Sequence, residues 1–477
     1  MGIGRNETAR PVYNPPVAAS FHFEHSVAFS PESATDTLRA IPALPGVFAL
    51  HGPRIEGQPE DQPYLTRAAD LRRRITRILA PPDSQSKRLN LRSRVARIDY
   101  TITGSEFEST LSLYRASAAV FGLAEARRRL RLHTPFFLRF TAENAYPRVY
   151  STNRLSRRAL AHTYGPFPSR AAADRTCDAV LDLFKLRRCY EDLAPYPEHP
   201  GCVYQEMNKC LAPCNQACTP QGASAYADEA ASVEAFFDTH GESLLAQLTA
   251  DRERASANLD FESAAQLHAQ FLRVKAAASL ADPLVQPIPN LRAVILQKAA
   301  QQTKLGAPRL GVPGELARWG ECLDSETRVD AAASDLSVSN KAEPTASLFL
   351  VDAGSIVGPV LLAPAAAMNS EAACDSADTP TSSPEDRAAN LLGDLAIRAK
   401  PHPKSSPDLA TLSDHLSLLR RWYYRPEKQR IGEVFLPKED ATDQPSWPVR
   451  RILNAAVRVS LGDPKPTPES KNLSRNP

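Results

Sequence analysis

The chain has 477 residues, 43% of them hydrophobic, and sets 57 lysines and arginines against 54 aspartates and glutamates for a net charge of +3. That length leaves room for roughly two to four domains with their own cores and excludes a small scaffold that needs disulfides to fold. The opening "MGIGRNETARPVYNPPVAAS" has no apolar segment fit for a signal peptide, and no run of eighteen apolar residues follows, so a soluble, cytoplasmic protein is expected.

The charge is uneven. "LRRRITRI", "KRLNLRSRVAR", "ARRRLRLH" and "NRLSRRALAH" put most of the N-terminal arginines between 71 and 162, whereas 320–390 is acidic. A basic first third suits phosphate contacts, although solvated helix faces would look the same.

In chain order, residues 1–40 read as a disordered arm, and the first packed unit, 41–124, opens at "IPALPGVFAL". "HGPRIEGQPEDQP" is a Gly/Pro-rich loop. "YLTRAADLRRRITRIL" carries a helical stripe of Leu71, Ile75 and Ile78, "ARIDYTIT" alternates like a strand, and "SEFESTLSLYRASAAVFGL" is helical again, so a small α/β domain is expected. Over 125–224, "PFFLRFTAENAYPRVY" reads as a strand hairpin, "YGPFPS" as a turn and "RAAADRTCDAVLDLFKL" as a helix leading to a cysteine-rich segment. Residues 225–282 are helical, with breaks at "THGES" and "NLD". In 283–437, "NLRAVILQ", "ASLFLVD" and "SIVGPVLLAP" read as strands and "LSDHLSLLRRWYY" as a helix, a partial α+β region. Its stretches 302–345 and 366–412 have a composition that does not order itself. Residues 438–477 read as a tail.

Cys189, Cys202, Cys210 and Cys214 are separated by twelve, seven and three residues. In a reducing compartment such clustering points to metal binding rather than disulfides. Structural zinc sites favour paired short knuckles, and only the last pair is that close; iron–sulfur clusters also take four thiolates and tolerate irregular spacing. Cys177 falls inside a helix and reads as a small core residue, and Cys218 as a spare or substitute ligand. Further on, Phe261, Ala264, Ala265, His268, Phe271 and Leu272 follow helical spacing, Leu244, Leu245 and Leu248 form a matching stripe, and Asn258 or Asp260 is placed to cap the second helix.

Four stretches in order carry a resemblance. "LPGVFAL" with "YLTRAADLRRRI" resembles the GIY-YIG nuclease signature that opens the UvrC family, part of the bacterial UvrABC excinuclease. "YGPFPSRAAADRTCDAVLDLFKLRRC" is similar to that family's "YFGPYPS" segment and the helix after it, "CVYQEMNKCLAPC" to its "CLYYQIGRCLAPC", and "ERASANLDFESAAQLHAQFLRV" to the UVR motif. The resemblance runs from about 41 to 280, continues weakly through "LLRRWYYRPEKQRIGEVFLP", and stops after 437. It implies a small GIY-YIG-like α/β domain, a cysteine-rich segment, a helical UVR hairpin and a partial α+β region. The family's RNase H-like nuclease and its helix-hairpin-helix pair find no room in the remaining residues.

For the first domain the resemblance implies metal-dependent phosphodiester cleavage, with Tyr64 as the activating tyrosine and Arg74 as the phosphate arginine. Arg67, Arg72, Arg73 and Arg74 are its expected DNA contacts. Other positions depart from the pattern: Phe48, Thr66 and Ile78 replace a tyrosine, a glycine and a tyrosine, and the metal-binding glutamate falls on Leu113. Leucine cannot hold a hard cation, and Glu108 is expected about 140° away around the helix. Tyr64 and Arg74 are therefore expected to be relics of a site without catalytic divalent metal. At Cys189, Cys202, Cys210 and Cys214 the resemblance implies a 4Fe-4S cluster, with zinc the alternative. At Leu259, Phe261, Ala265, His268, Phe271 and Leu272 it implies docking on a UvrB-like protein. The expectation is a DNA-binding, UvrC-like repair protein without its own nuclease. An incision protein with a remodelled site and an iron–sulfur regulatory adaptor outside repair remain open.

Overall fold

The computed structural model describes residues 21–54, 61–81, 89–191, 193–216, 222–300, 345–362, 389–390, 392–393, 408–439 and 445–462. Cys218, residues 1–20 and most of 302–345 and 366–412 lie outside them. The described residues fall into two compact units, one up to Arg131 and the other from Leu132 onward. Among the described residues no helix is long and apolar enough to cross a membrane.

The first unit is a four-stranded antiparallel sheet between helices. Its elements are β1 (His25–Ala28), α1 (Ala34–Ala40), β2 (Gly46–His51), β3 (Tyr64–Ala68), α2 (Leu71–Leu79), β4 (Arg97–Ile102), α3 (Glu106–Phe121) and α4 (Leu123–Leu130), with strand order β1-β4-β2-β3. Strand side chains alternate between faces, so each strand feeds two cores. Phe48, Leu50, Ile98 and Tyr100 pack with Leu71, Ile75 and Ile78 of α2, whereas Val47, Ala49 and Leu65 pack with Leu113 and Ala116 of α3. Gly46 is required at its place: a Cβ there would stand 2.4 Å from the Thr101 carbonyl oxygen.

Residues 21–40 are not the arm expected. β1 pairs with β4 from His25↔Tyr100 to Ala28↔Arg97, Ser26 donates to Asp99 at 2.7 Å, and Leu38 of α1 enters the core. A four-residue strand has too few alternations to stand out, and its partner is distant in sequence. The unit also runs past 124 to include α4, whose Glu125 pairs with Arg128 and Arg129.

The second unit holds β5 (Phe136–Phe140), β6 (Val149–Thr152), β7 (Thr163–Phe167), α5 (Arg170–Leu183), α6 (Val203–Glu206), α7 (Gly222–Asp238), α8 (Glu242–Ala257), α9 (Phe261–Ala278) and β8 (Gln286–Pro287). The sheet order is β6-β5-β7-β8, antiparallel throughout. "YGPFPS" is strand rather than turn over most of its length. Gly165 and Pro166 sit in β7, fully buried, and a Cβ on Gly165 would meet the Phe137 ring at 2.5 Å. Phe140, Tyr164 and Phe167 share one core with Val180 of α5, Tyr226, Val233 and Phe236 of α7, Leu248 of α8 and Val274 of α9.

A second sheet follows, β9 (Ala293–Lys298), β10 (Ala346–Asp352), β11 (Ser355–Leu362) and β12 (Glu433–Phe435), in order β11-β10-β9-β12, with helices α10 (Leu409–Tyr423) and α11 (Val449–Leu461). The expected strands and helix before 437 are in place. The expected tail is not, because α11 buries Ile452, Ala455 and Ala456 against Val294, Leu296 and Leu348. The i, i+3, i+4, i+7 spacing of Ile452, Ala455, Ala456 and Val459 is that of a core-facing helix.

Candidate metal centre and docking hairpin

The four cysteines lie on the chain between α5 and α7, which has little regular structure and is held by specific bonds. Tyr226 of α7, fully buried, accepts from Arg187 N at 3.1 Å and donates to the Pro147 carbonyl at 2.7 Å. Arg187 donates to the carbonyls of Tyr146 and Glu191 at 3.0 and 2.9 Å, with Nη1 3.9 Å from Cys189 Sγ. Arg148 donates to the Cys189 carbonyl at 3.0 Å. Cys202 begins the short α6, its carbonyl accepting from Gln205 N at 2.9 Å. Leu211 N bonds to the Lys185 carbonyl at 3.1 Å and Tyr196 N to the Cys214 carbonyl at 3.1 Å, which draws the ends of the segment together. Ala212, at φ 51°, turns the chain so that its N–H donates to Cys210 Sγ at 3.3 Å.

Cys210 and Cys214 are buried, Cys189 and Cys202 half-buried, and all four are free thiols. Burial pushes the Cys210 thiol up to about 11; the Ala212 N–H opposes this, and the charges of Cys202, Cys189 and Cys214 add to it. Burial likewise raises Cys214, with Cys202 and Cys189 contributing. Cys189 and Cys202 thus bear electrostatically on both buried cysteines. As thiolates they repel, so a bound cationic centre is what would hold them deprotonated. Among the described residues no group of three or more His, Cys, Asp or Glu is already gathered as a metal site. The donor set itself, four thiolates with an N–H donor to sulfur and Arg187 beside them, fits an iron–sulfur centre or zinc. Cys177 is in the core, where burial raises its thiol to about 12.

α8 and α9 form an antiparallel hairpin. Asp260 caps α9, accepting from Ser263 N at 3.1 Å, and Leu259 occupies the turn at φ 58°. Leu267, Phe271, Val274 and Ala277 turn toward the unit's own core. Phe271, expected on the docking face, is therefore half-buried at home, stacked 6.3 Å from His268. Leu267 belongs to the inward stripe that sequence reasoning missed, one position off the spacing chosen. Leu259, Phe261, Ala265, His268 and Leu272 are exposed, Leu259 by 73% and Phe261 by 66%. Together they leave an apolar tip and edge facing outward.

In the first unit, Tyr64 and Arg74 meet, the guanidinium donating to the phenol oxygen at 3.4 Å on the α2 face of the sheet. Leu113 and Arg67 stand on the other face, where Arg67 bonds to Glu106 at 3.2 Å and to Thr110 at 3.1 Å. Arg72 is tied to the Ile41 carbonyl at 2.7 Å, and Arg73 is exposed. The expected DNA contacts do not converge on one surface. Glu108 serves the start of α3: the N-cap Ser105 accepts from Glu108 N at 3.1 Å while the Glu108 carboxylate accepts from Gly104 N, just before the cap, at 3.0 Å.

Residues 136–236 match the UvrC/Cho excinuclease middle domain and 242–277 the UvrB/uvrC motif. The chain is similar to the UvrABC system protein C of Idiomarina loihiensis, 26% identical over 244 residues, which is 50% of this chain and 37% of that protein. It is 30% identical to that of Pasteurella multocida over 213 residues, 45% of this chain and 34% of the relative. The corresponding protein of Pseudomonas syringae is 28% identical over 210 residues, 43% and 33% of the two chains. The likeness to the UvrC family thus holds over half of this chain and spans about a third of the relatives' length. No solved structure matches it.

Proposed function

We propose that this chain is a UvrC-like component of nucleotide excision repair that docks on a UvrB-like protein and contacts DNA without cutting it through its first unit. The observation that carries the reading is the matched middle domain and motif in tandem, the motif ending in an apolar tip at Leu259 and Phe261 that its own core leaves exposed. Exposed aromatic and aliphatic knobs at a tight turn suit a helix-pair partner. Cys189, Cys202, Cys210 and Cys214 would hold a 4Fe-4S cluster, or zinc, that ties the segment between α5 and α7 into one conformation. The first unit is a GIY-YIG-like fold whose metal position is Leu113, packed among apolar side chains and across the sheet from Tyr64 and Arg74.

Binding to a UvrB-like protein, measured by calorimetry with the full chain, tests the docking. Phe261→Ala should weaken it at least tenfold; unchanged affinity would overturn the assignment. The same preparation, presented with UvrB loaded on lesion DNA, should not nick it. Cleavage that needs Tyr64 and a divalent cation would show the site to be active. Anaerobically purified protein should show iron–sulfur absorption and a paramagnetic signal on reduction, both lost in Cys210→Ser. A colourless protein carrying one zinc would replace the cluster with zinc.

A further inference from the structure

The sheet β6-β5-β7-β8 has α5 on one face, fixed there in part by the Ser151 hydroxyl bonding to Asp174. On the opposite face Arg139 of β5 stands directly across from Tyr150 of β6, and Phe137 across from Thr152. Arg154, Ser156 and Ala159, from the chain after β6, close over this face to leave a cleft of about 430 Å³ lined by Arg139, Tyr150, Thr152, Arg154, Ser156 and Ala159. Arg139 is only 8% exposed. Its Nη2 pairs with Glu143, but its Nη1 is buried and has no hydrogen-bond partner among the described residues. The charge of Arg139 is paired with Glu143, but this second guanidinium nitrogen keeps a donor free beside the cleft wall for an anionic acceptor from outside.

The rim has a matching chemistry. Arg154 is exposed, as are Arg157 and Arg158 just beyond it. Tyr150 and Tyr190 meet edge to face at 6.4 Å, with the Arg148 guanidinium over both rings, and Tyr190 is 72% exposed. Guanidinium groups bind phosphate oxygens in pairs, and exposed aromatic rings beside them are platforms for bases.

We propose that this cleft binds a backbone phosphate of a nucleic-acid strand, Arg139 and Arg154 holding its oxygens and Tyr190 taking the adjoining base. The inference rests on the reading that the chain works on DNA, and gives that contact a place in the middle domain rather than in the arginines of the first unit. Because Arg148 also holds the Cys189 carbonyl, the aromatic rim is joined to the cysteine segment, and an ordered segment presents Tyr190.

The test is fluorescence anisotropy of the full chain with a labelled oligodeoxynucleotide over a series of salt concentrations, alongside titration with inorganic phosphate alone. Arg154→Glu, on the exposed rim, should weaken oligonucleotide binding at least tenfold and lower the salt slope by about one. Tyr190→Ala should weaken it about fivefold to tenfold. Arg139→Lys keeps the pairing charge for Glu143 and removes the unpaired donor; it should weaken binding with the thermal midpoint retained. If the natural protein binds the oligonucleotide and Arg154→Glu and Arg139→Lys bind it equally well, the cleft proposal fails while the repair reading stands. If the natural protein binds no oligonucleotide, the DNA reading fails and the cleft with it. If phosphate binds and the oligonucleotide does not, the cleft is a free-phosphate site and the nucleic-acid assignment is overturned.

Discussion

Leu113 stands where the resemblance places a metal-binding glutamate, and its surroundings explain why restoring that residue would not restore a site. It packs with Val47, Ala49, Leu65 and Ala116, on the sheet face opposite Tyr64 and Arg74. Leu113→Glu is expected to cost about 1–3 kcal/mol of stability, since a carboxylate would lose water among apolar groups, and to confer no cleavage; urea unfolding and a nicking assay check the two halves. Asp99 gives a pH-dependent counterpart. Burial works to raise its pKa, but hydrogen bonds from His51 and Ser26 and the charge of Arg97 outweigh this and hold the carboxyl below its usual range. A folded-state pKa lowered in this way stabilises the protein above the ordinary aspartate value of about 3.9, and the contribution is lost as pH falls through the folded value. Asp99→Asn should therefore be less stable than the natural protein at neutral pH, with the gap narrowing below about pH 4. At this scale the clustering of the cysteine quartet was legible from residue type and spacing, whereas Tyr64 and Arg74 were singled out only through the resemblance. The part Glu108 plays at the start of α3 came from the structure; from the sequence it was placed only as a carboxylate turned away from Leu113.

The hairpin α8–α9 shows what periodicity can and cannot decide about an element. Apolar positions 261, 264, 265, 268, 271 and 272 all lie on one broad face, and two neighbouring edges of it do different work. The edge with Leu267, Phe271 and Val274 enters the core, and the edge with Phe261, Ala265, His268 and Leu272 faces out. A helical stripe gives the spacing of its residues but not the azimuth of the neighbour, so the split needed the packed structure. Leu259→Gly separates stability from binding. It removes a left-handed penalty of about 1–2 kcal/mol from a leucine at φ 58°, offsetting the entropy glycine adds to the unfolded chain, so the thermal midpoint should hold or rise. Affinity for a UvrB-like partner should fall all the same, because the exposed knob is gone. β7 makes the reverse point: its Gly165 and Pro166 signal a turn locally, yet they are carried as buried strand across an irregularity in the ladder with β5, Gly165 pairing with Gln286 of β8.

Across the whole molecule, the strands and helices of the two units outline a mixed α/β fold whose parts close at long range. α11 covers β9 and β10, so Ile452→Ala should destabilise the second unit by about 2–5 kcal/mol, read by thermal unfolding, although the residue lies in what looks like a tail. β1 completes the first sheet from a stretch that reads as an arm. By itself the sequence determined most of the central strands and helices, the cysteine spacing, the hairpin and the likeness to the UvrC family over the middle of the chain, because each of these is written in residues close together. Tertiary structure alone decided that Leu113 and Tyr64 stand on opposite faces, which edge of α9 is left exposed, and that Arg139 Nη1 has no hydrogen-bond partner among the described residues. Those outcomes depend on strand alternation and on burial against residues far away in the chain, and local pattern carries no information about which distant surface a side chain will meet.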